Sequence, residues 1–239
     1  MVDGLLHIFY IQYPQVKKII MTEAKIFQLW PICLYKSSFD IDENTKQLFY
    51  NEEYERMPSG NGDYTKNKYL LHDKKYSYVI DNIMKHLNYF TKEYLTVNDE
   101  VSFYLQNSWA VKHNSDDWGQ THSHANSLLS GVYYLNTDEK SGDIRFEKPT
   151  GYTNLFHEST HIQFNEYENH NCSVWVETPK IGDLFLFPSH LNHSINRNLS
   201  NITRYSIAFN FHIEGSLVSK NSKLDYLNLK KGNMEGYNE

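Results

Sequence analysis

From residue 101 onward, the sequence alternates between short apolar runs and clusters of turn-forming residues. Runs of four to eleven residues compatible with strands occur at 101–111, 128–135, 143–146, 161–164, 173–177, 183–187 and 204–213. The segments between them, such as NTDEKSGD, PTGYTN and PKIGD, are rich in Gly, Pro, Asn and Asp, which favour turns. Many short strands separated by turns predict a β-sandwich or barrel in this part of the chain.

Two segments before residue 100 have helical periodicity. Segment 45–56 is short and charged, whereas segment 74–95 places six apolar or aromatic residues along one stripe: Tyr76, Ile80, Ile83, Leu87, Phe90 and Tyr94. The sequence MPSGNGDYTKN between them predicts a surface loop. Helices followed by many strands predict an α+β fold, with the helices packed on one face of the β-structure.

The chain of 239 residues is long enough for one decorated domain. Residues 1–20 are predicted to be an extension outside the fold, because LLHIFYI lacks the basic flank and cleavage site of a signal peptide; Met21 is a candidate start. Residues 21–100 then form a helical part, residues 101–214 the β-core and residues 215–239 a loosely held tail. No apolar stretch approaches the roughly 18 residues that span a bilayer, so no membrane partner is expected.

Composition restricts the partners and the compartment. The net charge is −6 and the basic residues are scattered, so nucleic acid is an unlikely partner. Cys33 and Cys172 are too few for a disulfide framework and lie in no zinc-type spacing, which predicts reduced thiols in the cytoplasm. The oligomeric state is left open.

The first candidate ligands are His122 and His124. In a strand, one intervening residue places both imidazoles on the same face. Because the chain has 12 histidines, about 0.6 such pairs are expected by chance, so the context must decide. The strand-like LLSGVYYLN follows, and counting by twos from His122 reaches Leu128, Ser130, Val132 and Tyr134, so Tyr134 is expected to face the same cavity.

A second set lies in GDLFLFPSHLNHSINRN, at 182–198, where a turn, an apolar strand and a proline corner lead to histidines. His193 is the candidate third ligand and His190 the runner-up. Arg204 follows eleven residues after His193 and opens RYSIAFNF, which alternates large apolar residues with polar or small ones. The polar face could meet solvent, but the planar guanidinium of Arg204 is suited to bind a carboxylate.

These residues resemble the 2-oxoglutarate and iron(II)-dependent oxygenases, in particular the phage and bacterial branch with a prolyl-hydroxylase-like layout. The resemblance covers roughly residues 109–211. Its motifs are Trp109, the HxH of His122 and His124, LLSGVYYL, the turn of Ser141 and Gly142 with Phe146, GDLFLFPS, His193, Arg204, Ser206 and AFN.

The resemblance implies a double-stranded β-helix, or jelly roll, with the N-terminal helices on its outer sheet face. It implies that iron(II) is held by His122, His124 and His193, with three coordination positions open for 2-oxoglutarate and dioxygen. Arg204 would bind the distal carboxylate of 2-oxoglutarate, with Ser206 and Tyr134 as helpers. Trp109 would lie in the core or line the cosubstrate pocket. The substrate, a small molecule or peptide, is not identified, and a phage-encoded protein would act in the bacterial cytoplasm.

The sequence departs from the wider family at His124, where most members have Asp or Glu. The usual site has two histidines and one carboxylate. A third imidazole leaves one more positive charge, which should strengthen the binding of anionic 2-oxoglutarate; alternatively, it favours another metal, or His124 turns away.

Two rival functions remain at this stage. A cupin-like protein could use three histidines without 2-oxoglutarate, although the Glu expected soon after the HxH is absent from ANSLLSG. A binding module could have kept the barrel and lost the reaction. Other polar residues rank lower. They are the pair His157 and His161, and His113 with Asp116 and Asp117, which we expect on the loop entering the site; solvation at the surface explains these charges, and the alternative is that a carboxylate there replaces the missing one.

Overall fold

The computed structural model describes residues 31–59, 61–149, 162–216 and 228–229, and its strands form two antiparallel sheets. The strands are β1 (Tyr35–Ser38), β2 (Tyr54–Arg56), β3 (Asp63–Thr65), β4 (Val101–His113), β5 (Gly119–His122), β6 (Leu129–Asn136), β7 (Ile144–Glu147), β8 (Val174–Glu177), β9 (Asp183–Pro188), β10 (His193–Ile195), β11 (Arg204–Ser216) and β12 (Asn228–Leu229). They all belong to the compact unit Ile32–Glu239.

The larger sheet has the order β1-β9-β6-β11-β4-β3-β2, with β12 paired to β11, and the smaller sheet has the order β5-β10-β7-β8. From β4 to β11 the strands alternate between the larger and the smaller sheet, except that β7 and β8 are both in the smaller sheet. This is the double-stranded β-helix that was predicted. Side chains from both sheets line one cavity between them.

The helices cover the outer face of the larger sheet. Helix α1 (Glu43–Tyr50) is capped by Asp42, whose side chain accepts a hydrogen bond of 2.8 Å from the backbone N–H of Thr45. Helix α2 (Ser77–Asn88) continues into a π-helical segment, Tyr89–Tyr94. The buried residues of α2 are Val79, Ile83 and Leu87. Ile83 and Leu87 lie on the predicted stripe, whereas Val79 does not and Ile80 is only partly buried.

Strand β11 shows why a polar interior is compatible with a stable fold. Ile207, Phe209 and Phe211 point outward and share one apolar cluster with the helices. Arg204, Ser206 and Ala208 point inward and line the cavity. The polar face of this strand is therefore internal, and the alternative that it meets solvent is wrong.

Two helix predictions need correction. The helix predicted at 45–56 ends at Tyr50, and Tyr54–Arg56 is instead a strand, which pairs with β3 inside the predicted loop. The reason is a non-local partner, because Asp63 and Tyr64 in turn pair with β4. Tyr94, placed on the buried stripe, is 62% exposed, because the π-helical turn changes the residue spacing on which the stripe depends.

The predicted strand at 161–164 is also wrong for the described residues 162–164, which are irregular. The short strands β1 and β10 were not predicted, since each has at most four residues and pairs only through distant partners. Residues 1–20, Met21, His157 and His161 lie outside the described residues. In the described part of the chain, no helix has the length and apolar character needed to cross a bilayer.

We predict that Ile83→Ala lowers the free energy of unfolding by about 2–5 kcal/mol, because it leaves a cavity where a fully buried side chain joins α2 to the sheet. Urea denaturation would measure the change. Asp81→Ala, at an exposed position of the same helix, is the matched control and should change stability little.

Candidate metal centre and carboxylate pocket

Strand pairing in the smaller sheet brings the candidate histidines together. His122 ends β5 and His193 begins β10, and the two residues are direct antiparallel partners. The ring centroids of His122 and His193 lie 4.4 Å apart, and His124 lies 5.1 Å and 5.2 Å from them. One possible ligand atom from each residue lies within 4.8 Å of the other two. His190 is exposed and is not part of this cluster.

His124 reaches the cluster by a different route from the one predicted. Strand β5 ends at His122, so His124 lies beyond the strand, and the count by twos to β6 is interrupted by a turn in which Asn126 has a φ of 60°. The backbone N–H of His124 donates a hydrogen bond of 2.9 Å to the carbonyl oxygen of Ser189. This bond holds the turn beside the end of β9.

Backbone carbonyls determine which nitrogen is available on two of these rings. The Nδ1 atom of His122 lies 2.9 Å from the carbonyl oxygen of Gln120, and Nδ1 of His193 lies 2.9 Å from that of Leu191. A carbonyl only accepts, so each Nδ1 carries the proton and each Nε2 keeps a lone pair. Metal-binding histidines are typically oriented in this way.

The surroundings also keep the imidazoles of His124 and His193 neutral. Burial, with a contribution from the neighbouring His122, lowers the pKa of His193 to about 3. The same two causes lower the pKa of His124 to about 4. Both rings therefore offer lone pairs at neutral pH, as a divalent metal ion requires.

A buried guanidinium occupies another part of the same cavity. Arg204 is only 1% exposed. Its Nη1 donates to the carbonyl oxygens of Ser141 and Gly142 at 3.3 and 3.1 Å, and its Nη2 donates to Nδ1 of His113 at 2.8 Å. Burial lowers the pKa of Arg204 from its usual value, although an arginine stays charged.

Three buried polar atoms around Arg204 have no hydrogen-bond partner among the described residues: Nε of Arg204, Oη of Tyr134 and Nε2 of His113. Cζ of Arg204 lies 6.0 Å from the centroid of the Tyr134 ring. No Asp or Glu is among the described residues that line the cavity. An unpaired buried charge and unpartnered donors are costly, and an anionic ligand would offset that cost.

The cavity has a volume of about 530 Å³ and contains the three histidines, Arg204 and Ser206 in its lining. Trp109 also lines it, with its ring centroid 6.0 Å from that of His124, so this residue borders the site. Tyr134 lies beside Arg204 within the apolar cluster of the barrel. One wall comes from the hairpin predicted as a surface loop: Met57, Ser59, Asn61, Tyr64 and the following Lys68.

The expectation of a solvated entry loop around His113 is wrong for two of its three residues. His113 ends β4, is 4% exposed and contacts Arg204, while Asp117 is buried and forms an ion pair of 2.6 Å with Arg56. Only Asp116 is largely exposed. The signal was present in the sequence, because counting by twos from Trp109 reaches Val111 and His113, which line the cavity together.

The described residues thus form a jelly roll in which a converging histidine cluster and a buried arginine share one cavity. Residues 107–210 match the family model described as a putative 2OG-Fe(II) oxygenase. That segment contains all the site residues that sequence reasoning singled out, including His122, His193 and Arg204. No curated protein matches the chain.

Solved structures agree on the fold. The epimerase SnoN, in complex with Fe3+, alpha ketoglutarate and nogalamycin RO, is 11% identical, with a TM-score of 0.54 and coverage of 84% of this chain and 92% of that one. HygX from Streptomyces hygroscopicus, with nickel and 2-oxoglutarate bound, is 12% identical, with a TM-score of 0.51 and coverage of 75% of this chain and 82% of that one. Residues 107–210 therefore resemble the 2-oxoglutarate and iron(II)-dependent oxygenases, and the solved structures show that the chain shares its fold with SnoN and HygX.

We predict that His193→Ala lowers the affinity for cobalt(II), used as an oxygen-stable probe, by at least tenfold, because it removes one of three converging imidazoles. Isothermal titration calorimetry would measure the affinity. His190→Ala, which removes an exposed histidine three residues earlier, should bind cobalt(II) like the wild type. Equal losses in both variants would contradict the assignment.

Proposed function

We propose that the chain hydroxylates or otherwise oxidises a substrate while 2-oxoglutarate and dioxygen are converted to succinate and carbon dioxide, with the metal held by His122, His124 and His193. The observation that carries the proposal is that Arg204 is buried in the cavity that also contains the histidine cluster, and that none of the described residues lining this cavity is acidic. A histidine cluster alone is compatible with many metals and reactions. A buried cation beside it favours an anionic cosubstrate.

The cluster has the properties that an iron(II) site needs. Burial keeps the imidazoles of His124 and His193 neutral, and on His122 and His193 a carbonyl accepts from Nδ1, which leaves Nε2 to face a metal. Imidazole is a good ligand for iron(II), and three ligands from one side leave room for others. When bound there, iron would supply the activation of dioxygen, whereas the protein supplies orientation and shielding.

Arg204 would bind the distal carboxylate of 2-oxoglutarate. Two of its donors, Nε–H and one N–H of Nη2, are not used by the described protein groups. Adjacent guanidinium nitrogens of this kind can bind a carboxylate through two parallel hydrogen bonds. Burial raises the pKa of Tyr134 to about 12, so its hydroxyl stays protonated and can donate to the same carboxylate. Ser206, also inward on β11, is a further candidate donor.

The third imidazole changes the charge of the site. With His124 in place of a carboxylate, iron(II) and three neutral ligands carry a charge of about +2, against +1 for two histidines and one carboxylate. The distal guanidinium adds another positive charge. This arrangement favours a dianionic cosubstrate such as 2-oxoglutarate and does not require an acidic side chain in the cavity.

The substrate would enter from the wall formed by the β2–β3 hairpin. This wall presents a thioether, hydroxyl and amide groups, an aromatic ring and the ammonium group of Lys68. The cavity volume suits a small molecule or a single side chain of a peptide. The reducing cytoplasm is the proposed compartment, which is consistent with the lack of a disulfide between Cys33 and Cys172.

We predict that the wild type forms succinate from 2-oxoglutarate only with iron(II) and dioxygen, and that Arg204→Ala lowers this activity by at least a hundredfold at limiting 2-oxoglutarate, because the carboxylate loses its charged partner. Chromatographic quantification of succinate would measure it. Arg197→Ala removes an exposed arginine and is the matched control. Turnover that survives Arg204→Ala would discard this carboxylate site, and iron binding without any 2-oxoglutarate effect would favour the cupin-like or non-catalytic alternatives.

We also predict that His124→Asp retains iron(II) but raises the KM for 2-oxoglutarate, because the new carboxylate removes one positive charge from the site. His124→Ala should instead weaken metal binding by at least tenfold, since it removes a ligand. Calorimetry with iron(II) under anaerobic conditions and succinate assays would separate the two effects. Wild-type metal affinity in His124→Ala would mean that this imidazole is not a ligand.

A further inference from the structure

His113 and Arg204 are direct partners across the β4–β11 ladder. Side chains directly opposite each other in antiparallel strands project to the same face, here into the barrel. Both residues are buried, at 4% and 1% exposure, and the Nη2···Nδ1 distance is 2.8 Å. A histidine is therefore built into the wall beside the arginine that we propose as the carboxylate binder.

The direction of this hydrogen bond determines the protonation of the ring. A guanidinium has five N–H donors and no acceptor, so Nδ1 of His113 must be the acceptor. The proton of the neutral ring is then on Nε2. Burial and the adjacent guanidinium lower the pKa of His113 to about 3, in agreement with a neutral ring at physiological pH.

We propose that His113 is a positioning residue for the cosubstrate: its neutral imidazole accepts one hydrogen bond from Arg204 and thereby orients the guanidinium so that Nε and the second Nη2 proton face the 2-oxoglutarate carboxylate. This role rests on the function proposed above. Two backbone carbonyls, of Ser141 and Gly142, hold Nη1 on the other side. Among the described side chains, the imidazole is the one that accepts a hydrogen bond from Nη2.

The hydrogen-bond inventory supports this role. Nη1 is used by the two carbonyls and one donor of Nη2 by His113, which leaves the pair that a carboxylate can bridge. An acidic residue at position 113 would form an ion pair with the guanidinium and compete with the 2-oxoglutarate carboxylate for it. A neutral acceptor orients Arg204 without neutralising its charge, so the full charge remains available to the cosubstrate.

Residue 113 is held in place at its backbone and at its ring. The carbonyl oxygen of residue 113 accepts a hydrogen bond of 2.9 Å from Nδ2 of the buried Asn198. On the opposite side, Gly62 packs so closely that an added Cβ would lie 2.8 Å from Cδ2 of His113. Gly62 also has a φ of 95°, a conformation that other residues rarely adopt. The β2–β3 hairpin thus confines the ring against Arg204.

The test compares His113→Asn, whose amide can place an acceptor near the position of Nδ1, with His113→Leu, which keeps bulk but has no acceptor. We expect His113→Leu to raise the 2-oxoglutarate KM and dissociation constant on the order of tenfold or more, the effect of losing a hydrogen bond to a charged group. His113→Asn should stay within about threefold of wild type. In both variants, kcat at saturating 2-oxoglutarate and iron(II) affinity should change little. His170→Leu, at an exposed histidine, is the control.

Unchanged 2-oxoglutarate binding in His113→Leu, or equal impairment in both variants, would overturn the positioning role while leaving the proposed function intact. A parallel loss of metal affinity would also overturn it, because it would indicate a structural defect. If the wild type binds no 2-oxoglutarate at all, the proposed function fails and this role fails with it.

A second measurement does not depend on the His113→Leu variant. Nitrogen-15 NMR of wild-type protein labelled at histidine reports the tautomer directly, with His113→Asn used only to assign the signal. We expect a protonated Nε2 and an unprotonated Nδ1 for His113 at neutral pH. A proton on Nδ1, or a charged ring, would overturn the proposal even if His113→Leu fails to fold.

Discussion

Burying the charge of Arg204 without an acidic side chain beside it is the constraint on which the site depends. Removing a cation from water is costly, and here the described protein groups around it are two backbone carbonyls and one neutral imidazole. The turn at Ser141 and Gly142 presents those carbonyls to Arg204, and Gly142 has a φ of 96° in this turn. Within the described part of the chain, Nε of Arg204 and the hydroxyl of Tyr134 have no hydrogen-bond partner. A carboxylate bound there would accept hydrogen bonds from both groups.

The fold tolerates this polar interior because its main apolar core lies elsewhere. The helices and the outer faces of β6, β9 and β11 form a large cluster that is separate from the barrel cavity. A smaller apolar cluster inside the barrel, around Phe187 and Leu191, packs beside His193, with the rings of Phe187 and His193 4.8 Å apart. Burial of apolar surface on one side of the sheet therefore stabilises a scaffold that can hold charged and polar groups on the other. The same apolar surroundings keep the imidazole of His193 neutral.

Local patterning explains which parts were predictable. Strands such as β6 and β9 are buried on both faces and read as continuous apolar runs, and α2 has a clear amphipathic stripe, so these elements follow from composition and periodicity. The β2–β3 hairpin does not follow from local patterning, because its Pro- and Gly-rich sequence is typical of a loop. Its strands form because β2 pairs with β3 and β3 pairs with β4. For the same reason, a segment expected at the surface became one wall of the cavity.

The sequence by itself determined the chemistry available: which residues are histidines and arginines, the alternation that turns Arg204, Ser206 and Ala208 to one face, and the motif spacing that points to this oxygenase family. Tertiary structure decided how those groups meet. Only the pairing of β5 with β10 brings His122 opposite His193, and only the pairing of β4 with β11 brings His113 against Arg204. The physical reason is that hydrogen-bonded register between strands distant in sequence depends on the packing of the whole barrel, whereas side-chain alternation within a strand is a local property of the backbone.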